Sequence, residues 1–560
     1  MSFIFVFLAA MIVSMMLLPP LIVFGRKFQF VDQPSPRKVH ESPIPRIGGV
    51  AIGCALFVAI FSIASSALSM RYVAMLLAGT VVLIVGAIDD RHELGYRVKF
   101  AAQFVAAGIA VFLGGLRIEE ITLWSTLEIP TVVSTPLSIF VIVALANAVA
   151  LSDGLDGLAG GIVFICCAAL AVLGYSTGNV TSALLAAGLA GAIFGFLRFN
   201  THPAMIFMGD SGSQFLGVMS ALLAIDVTQS EPGRIAAALP LLLLGLPVLD
   251  TVQVMISRVL RGRSPFKPDK FHLHHRLLRL GLKHHQAVLT IYIAQCCLFL
   301  AAFFFRFESD LFLVALLLLT GGAFVMTVIA LGNDSVVSPS SPIPKSPENL
   351  VVRARVSRGL SLLVTLSLLA YVVLQYVANL NANPVDVAWS GSETQQLAIV
   401  LLGCVVASFL LLSNSTAGVF NQTVGYVVAA MLAFSASGAI APGSAYAMAE
   451  LVNLAVIGIG NVSWLLLSER RESQMTTLDV LVLFGALVVP NLPVLGGEMQ
   501  SVATLILRLV CLFYAVEVVA SVYRSRWAFR FALIGCLGLL AINRPLTDFS
   551  FSLSTFVTLN

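Results

Sequence analysis

Five aspartates stand in three short segments with neighbouring glycines: "GAIDDRHELG" (86–95), "ALSDGLDGLAGG" (150–161) and "MGDSGS" (208–213). Asp89 and Asp90 are adjacent, Asp153 and Asp156 are three apart, and Asp210 follows Gly209. Carboxylates three apart share a helical face where the segment makes a helix turn. An acid just inside a helix start is favoured by the free amides there. Five such groups at the edge of an apolar slab repel one another, and a divalent cation resolves that repulsion. Oxygen ligation with no cysteine nearby selects Mg2+, with Mn2+ as the alternative. Mg2+ takes one or two protein carboxylates and fills its shell with substrate phosphates and water. Gly154, Gly157, Gly160 and Gly161 let the backbone approach a bulky anion.

The opposite charge is equally concentrated. "PSPRKVHESPIPRIGG" (34–49) offers Arg37, Lys38 and His40 on a proline-stiffened stretch, and "SPFKPDKFHLHHRL" (264–277) offers Lys267, Lys270, His272, His274 and His275. Lysines beside histidines suit phosphate oxygens. A zinc site at "HLHH" would want Cys partners or an HExxH-like helix, and neither accompanies it. Lys99 and Gln103 lie one helical turn apart and could face Asp89 and Asp90. Asp250 precedes Arg258 by eight residues, roughly 12 Å into its apolar run. An acid at that depth is a functional position unless a partner neutralises it. Acids for a metal and bases for phosphates describe phosphoryl transfer, which depends on positioning and charge neutralisation and needs no P-loop. None is present, since G-x-x-x-x-G-K-[ST] does not occur.

The elements that must position these groups are membrane helices. Of 560 residues 59% are hydrophobic and 11% charged, with mean hydropathy +0.98, against about a quarter charged in soluble domains. The expected fold is an all-α polytopic membrane protein. About eleven spans are predicted up to residue 331, near 3–24, 47–68, 72–88, 98–115, 134–151, 158–175, 181–198, 211–227, 235–257, 287–305 and 310–331. "MSFIFVFLAAMIVSMMLLPP" lacks a basic n-region and cleavage site and is expected to be a retained first span. The domain expectation is a transferase-type membrane part over 1–331, a cytoplasmic Pro/Ser-rich linker over 332–358 and a multi-span region over 359–560 with about seven spans. The eight cysteines, including Cys166–Cys167 and Cys296–Cys297, sit mostly in apolar runs and have no disulfide or zinc spacing.

Basic residues crowd the loop after the first span and the loop after the ninth, whereas Arg71, Arg117, Arg234 and Arg306 stand singly on the other side. The positive-inside bias therefore places the crowded loops in the cytoplasm and the N-terminus outside. All the acid- and histidine-rich segments then reach the cytoplasmic face.

These segments resemble the polyprenyl-phosphate N-acetylhexosamine-1-phosphate transferases. The likeness rests on "DQPSPRKVHESPIPRIGG", "GAIDDRHELGYRVKFAAQ", "NAVALSDGLDGLAGG", "GFLRFNTHPAMIFMGDSGSQFLG" and "LPVLDTVQVMISRVLRGRSPFKPDKFHLHHRLLRLG", in the family's order. "SPFKPDKFHLHHRL" is similar to the branch that primes O-antigen or teichoic-acid linkage units rather than the muramoyl-pentapeptide branch. The resemblance implies a UDP-amino sugar donor (GlcNAc by default), an undecaprenyl phosphate acceptor, Mg2+ and a bacterial inner-membrane location, with no nucleic acid partner. It implies Asp210 as principal metal ligand with Asp90 beside it, and Asp89 as the acid that deprotonates the lipid phosphate. Asp153 and Asp156 are implied around the nucleotide and diphosphate, and His274 and His275 at the donor phosphates. Arg37, Lys38, His40, Lys99, Asn147, Asn200, Asp250, Lys267 and His272 complete the expected substrate contacts. Direct attack and a two-step path through an aspartyl-phosphate both remain open.

One departure stands out. The family reads Asn-Ala-x-Asn before Asp-Gly-x-Asp-Gly, but here Asn147 is followed by Ala150, a lost polar contact of about 1 kcal/mol. A transporter is the rival expectation, although transporters place charges near the membrane midplane. A non-catalytic scaffold leaves the five acids unexplained. Residues 359–560 show no comparable cluster and are expected to dock a homodimer or glycosyltransferase partner, handle the lipid product, or do neither.

Overall fold

A computed structural model describes residues 2–33, 43–63, 68–230, 235–262, 264 and 271–334, together with helical pieces within 364–372, 424–433, 449–461 and 507–519. The expected linker from residue 335 onward and most of the seven later spans lie outside the described residues. The chain divides into two compact units, one built mainly from Met1–Ser340 and the other from Ser341–Met475 and Val482–Ser552.

In the first unit the helices are α1 (Ser2–Lys27), α2 (Gly48–Ile63), α3 (Met70–His92), α4 (Tyr96–Gly108, continuing through a π-helical turn to Leu113) and α5 (Thr131–Ser152). They continue as α6 (Leu158–Ser176), α7 (Val180–Asn200), α8 (Gly209–Gln229), α9 (Leu239–Leu243), α10 (Gly245–Leu260), α11 (Leu273–Arg279), α12 (His284–Phe304) and α13 (Asp310–Asp334). Two short antiparallel pairs, β1 (Val31–Asp32) with β2 (Ile44–Pro45) and β3 (Glu120–Thr122) with β4 (Thr126–Glu128), edge opposite ends of the bundle. Among the described residues nine helices are long and apolar enough to cross a membrane. One expected span differs from prediction: the run 235–257 breaks at Leu244 into α9 and α10. Counting apolar residues cannot see such a break, because both pieces are equally apolar.

α8 is the central post. Its apolar window is wholly buried, and α2, α3, α5, α6 and α7 surround it. A helix apolar on every side belongs inside a bundle. α4 and α13, with Phe104, Phe112, Leu319 and Met326 exposed, form the rim instead. Carboxylates fix α8 at both ends. Near its C-terminus the fully buried Asp226 accepts from Arg71 (2.9 Å), Asn179 (2.8 Å) and the Ser182 hydroxyl. This ties the starts of α3 and α7 to the last turn of α8. Near its N-terminus Asp90 does the equivalent work.

The second unit holds a buried charged group that composition gave no sign of. Arg508 donates to Glu450 through two bonds of 2.8 Å, and the Tyr371 hydroxyl donates to Glu450 Oε1 at 2.9 Å. Bidentate geometry with a third donor is what a desolvated ion pair needs. Glu450→Met alone leaves a buried guanidinium uncompensated and is expected to cost about 3–5 kcal/mol, whereas the Glu450→Met/Arg508→Met double variant recovers most of that. Thermal unfolding of the detergent-solubilised protein checks the pair, and equal destabilisation of the two variants contradicts it.

Candidate active site

The site begins with a cap. Asp90, in the last turn of α3, accepts the Asp210 N–H (2.7 Å) and the Ser211 N–H (3.1 Å), and takes the Ser211 hydroxyl at 2.7 Å. It thereby satisfies the free amides of α8 and sits at the positive end of its dipole. The turn tolerates only glycine before the acid. Gly209 has φ +72°, and a Cβ there would meet Asp90 Oδ2 at 2.4 Å. The consequence for chemistry is that Asp90 is committed to α8. Beside it Asp89 Oδ1 is buried and receives no hydrogen bond.

Asp89 and Asp210 share one ammonium. Lys99, entering from the first turn of α4, lies 2.7 Å from Asp89 Oδ2 and 3.0 Å from Asp210 Oδ2. Lys99, expected to meet substrate, is thus seen bridging two acids. Arg46, which sequence reasoning counted only as a loop charge, lies 3.0 Å from Asp32, 3.5 Å from Asp90 and 3.7 Å from Asp210. Burial opposes its charge, but Asp90, Asp32 and Asp210 outweigh that and hold its pKa above the ordinary value. Its signal in the sequence was the "PIPR" stiffening just before α2.

Asp153 and Asp156 do not share a helical face, because α5 stops at Ser152 and α6 starts at Leu158. Solvent reaches the Asp153 carboxyl, yet protein surrounds it at longer range, as in a recess. Loss of bulk water, then the charges of Asp210, Asp156 and Asp90, push its pKa up to about 7, against the pull of Arg46. Asp156 turns away and accepts His202 Nδ1 (2.7 Å) and the Ala204 N–H (3.2 Å). Burial works against its ionised form, but the His202 hydrogen bond, His284 and the Ala204 amide hold it below the usual carboxylate range. Neither His202 nor His284 was expected from the sequence. The available signals were the "THPA" turn and the "HH" that opens a span.

Several residues expected at the substrate also brace the protein's own loops and helices. Asn200 is buried, accepts the Gly157 N–H (2.9 Å) and donates to the Ile206 carbonyl (2.9 Å), so its amide joins the 153–157 loop to the 201–207 loop. Tyr292 holds the same loop by donating to the Gly157 carbonyl at 2.6 Å. Asn147 donates to Gln103 (2.6 Å) and to the Val143 carbonyl (2.8 Å), locking α4 to α5. Asp250 takes His272 Nδ1 and the Leu273 N–H, each at 2.8 Å, and so fixes the start of α11. His272 therefore serves as an anchor. The rings of His272 and His274 stack 5.9 Å apart, and His275 lies 4.3 Å from His274. His274 is buried against Gly154, where a Cβ would come 2.2 Å from its Nε2. Burial, followed by the neighbouring His275, His272 and His284, lowers its pKa to about 3, so the ring is neutral. Ala150 gives the adjoining Asp153 N–H only its backbone carbonyl, at 3.3 Å. Arg37, Lys38, His40 and Lys267 lie outside the described residues.

The arrangement is thus an oxygen-rich, partly compensated anionic centre made by α3, α4 and α8. The flanking loops 153–157 and 201–207 and the histidine helix α11 adjoin it. Residues 72–228 match the model of glycosyl transferase family 4. The chain is 31% identical over 353 residues to a probable undecaprenyl-phosphate N-acetylglucosaminyl 1-phosphate transferase of Bacillus subtilis, covering 62% of this chain and 96% of that one. It is 37% identical over 325 residues to a decaprenyl-phosphate N-acetylglucosaminephosphotransferase of Mycobacterium tuberculosis, covering 51% and 78%. An undecaprenyl-phosphate alpha-N-acetylglucosaminyl 1-phosphate transferase of Escherichia coli K12 is 28% identical over 282 residues, covering 49% and 76%.

Two expectations follow from this geometry. The fold favours protonated Asp153, because its pKa rises from 3.8 to about 7. Its stabilising contribution is complete below the lower value and is lost as pH rises through the upper one. The Tm of protein stripped of divalent ions should therefore fall between about pH 4 and 7 and level off above that, and Asp153→Asn should flatten that fall. A parallel fall in the variant contradicts the assignment. Asp250→Ala removes the acceptor of two buried donors, costing about 1–3 kcal/mol. Limited proteolysis should then cut the 264–279 segment faster than in the wild type.

Proposed function

Because the chain belongs to the polyprenyl-phosphate N-acetylhexosamine-1-phosphate transferases, we propose that it transfers an N-acetylamino-sugar 1-phosphate, GlcNAc-1-phosphate by default, from a UDP-sugar to undecaprenyl phosphate and releases UMP. The observation that carries this reading is the Asp89–Lys99–Asp210 bridge with its open Asp89 oxygen. The Lys/Arg bias of the sequence, with Arg26 and Lys27 closing α1 and Arg258 closing α10, supports a cytoplasmic active face with the N-terminus outside, in a bacterial inner membrane. The acids gather at helix ends rather than at mid-helix, unlike a transporter site.

Mg2+ fits this donor set. All the candidate ligands are carboxylate oxygens, and the buried Asp89 Oδ1 has no other partner. Asp210 and Asp89 would hold the ion, and its charge would offset that of the donor diphosphate. The protein's own residues do the rest. Asp90 holds the first turn of α8, and with it Asp210, in place. Lys99 and Arg46 supply two cations against which an acceptor phosphate can settle. The lipid phosphate reacts in its doubly ionised form, held against these two cations. The phosphate oxygen then bonds to the β-phosphorus of the donor, the bond from that phosphorus to the UMP oxygen breaks, and UMP departs. His274, neutral and fixed by packing on Gly154, can hydrogen-bond a phosphate oxygen without adding charge. Its neighbour Asp153 is positioned on the donor side, where Ala150 leaves one polar contact unmade.

The test is UMP release by the purified full-length protein with undecaprenyl phosphate, Mg2+ and a panel of UDP-amino sugars. Release should depend on lipid and on one donor. Asp210→Asn and Asp89→Asn should each lower it about 100-fold or more, as expected for losing preorganised charge at a phosphoryl centre. Release that ignores the lipid, or persists in both variants, overturns the reading.

A further inference from the structure

Beyond the acid cluster the structure brings together a second set of metal-capable side chains. Asp156 comes from the loop after α5, His202 from the loop after α7, and His284 opens α12. His202 Nδ1 is 2.7 Å from Asp156 Oδ2, and His284 Nε2 is 3.9 Å from the same oxygen. One ligand atom from each residue lies within 4.8 Å of the others. His284 is the informative member. Its side chain is 9% exposed, and neither ring nitrogen has a well-formed hydrogen bond. A buried imidazole aimed at a carboxylate whose nitrogens make no well-formed hydrogen bond is costly, and a ligand removes that cost.

We propose that Asp156, His202 and His284 form a binding site for a borderline divalent transition ion of the Zn2+ class, distinct from the all-oxygen centre at Asp89 and Asp210. Two imidazole nitrogens and one carboxylate oxygen make a ligand set that prefers Zn2+ or Co2+ to Mg2+. With bonds of roughly 2.0–2.1 Å, tetrahedral ligands stand roughly 3.3 Å apart. The observed 2.7 and 3.9 Å straddle that spacing. The His202 and His284 rings stack at 4.1 Å and 17°, so one ring must rotate about Cβ–Cγ for both nitrogens to face a common point. His202, 43% exposed, has room to do so. The Ala204 N–H already donates to the Asp156 carboxylate at 3.2 Å and orients it. Three protein ligands leave a fourth position open toward the exposed side of His202. A bound ion would bolt the 153–157 loop to the 201–207 loop and to α12, three segments that border the active site. This assignment stands whether or not Asp156 also meets a nucleotide donor, because it is read by binding rather than turnover.

The experiment is a Co2+ titration of tag-free, full-length protein in detergent, followed by visible absorption and competed with Zn2+. Wild type is expected to bind one Co2+ with a tetrahedral-type spectrum that Zn2+ bleaches. His202→Ala, on an exposed ring that folding does not need, should weaken binding at least about tenfold, as should His284→Gln, which keeps the bulk of the buried side chain. Asp210→Asn should leave the spectrum unchanged. Absence of the spectrum in wild type, its persistence in both histidine variants, or its loss in Asp210→Asn each overturns the site.

Discussion

The bonds from the first amides of α8 to the Asp90 carboxylate are the interaction on which the rest of the first unit depends. α8 is buried along its whole apolar window, its first turn is half-buried at Gly209 and Asp210 and buried from Ser211 onward, and an unmet amide in the buried part costs about 1–3 kcal/mol. Asp90 meets two of them and a hydroxyl besides. It can do so only because α3 ends beside the start of α8 and because Gly209 leaves room for its oxygens. The same arrangement places Asp210 in the first helical turn, one residue past the glycine. A structural necessity, closing a helix end, therefore also fixes the position of Asp210.

Charge balance is the next constraint. Among the described residues Asp89, Asp90 and Asp210 converge within reach of Lys99 and Arg46, and Arg46 also serves Asp32. These described charges leave a local deficit of positive charge, and burial first, then the charges of Asp210, Asp156 and Asp90, push the pKa of Asp153 in the neighbouring loop up to about 7. Such a deficit is a poor way to stabilise a fold but a good way to hold a dication together with a phosphate, where the added charges cancel in place.

The sequence made much of this legible. The span expected at 211–227 is α8 at Gly209–Gln229, and the three acid segments do reach one end of the bundle. Helix length and apolar runs are local properties, so they survive without knowledge of packing. Partnerships are not local. Nothing in the spacing of Asn200, Asn147, Asp250 or His272 distinguishes a side chain that meets substrate from one that braces a loop, because the distinction lies in a residue up to 44 positions away. Arg46 was hidden among loop charges that topology alone explains. The Glu450–Arg508 pair was hidden because each member sits singly in an apolar run, 58 residues from the other.

The contrast between that pair and the first unit's site separates structural polarity from chemical polarity. Glu450, Asp226 and Asp250 are buried and have their oxygens supplied with donors. Their polar groups are finished, and adding a ligand would mean breaking a bond. Among the described residues the buried carboxylate oxygen left without a donor is Asp89 Oδ1, and the buried imidazole left without one is that of His284. Folding tolerates an unmet charged or titratable group only where other contacts over-determine its position. Here Lys99 and the cap on α8 hold the first, and the packing of α12 beside the Asp156 loop holds the second. Unmade bonds on rigid supports are where a ligand gains most, so the vacancies in hydrogen bonding, more than the acids themselves, mark where this protein does its work.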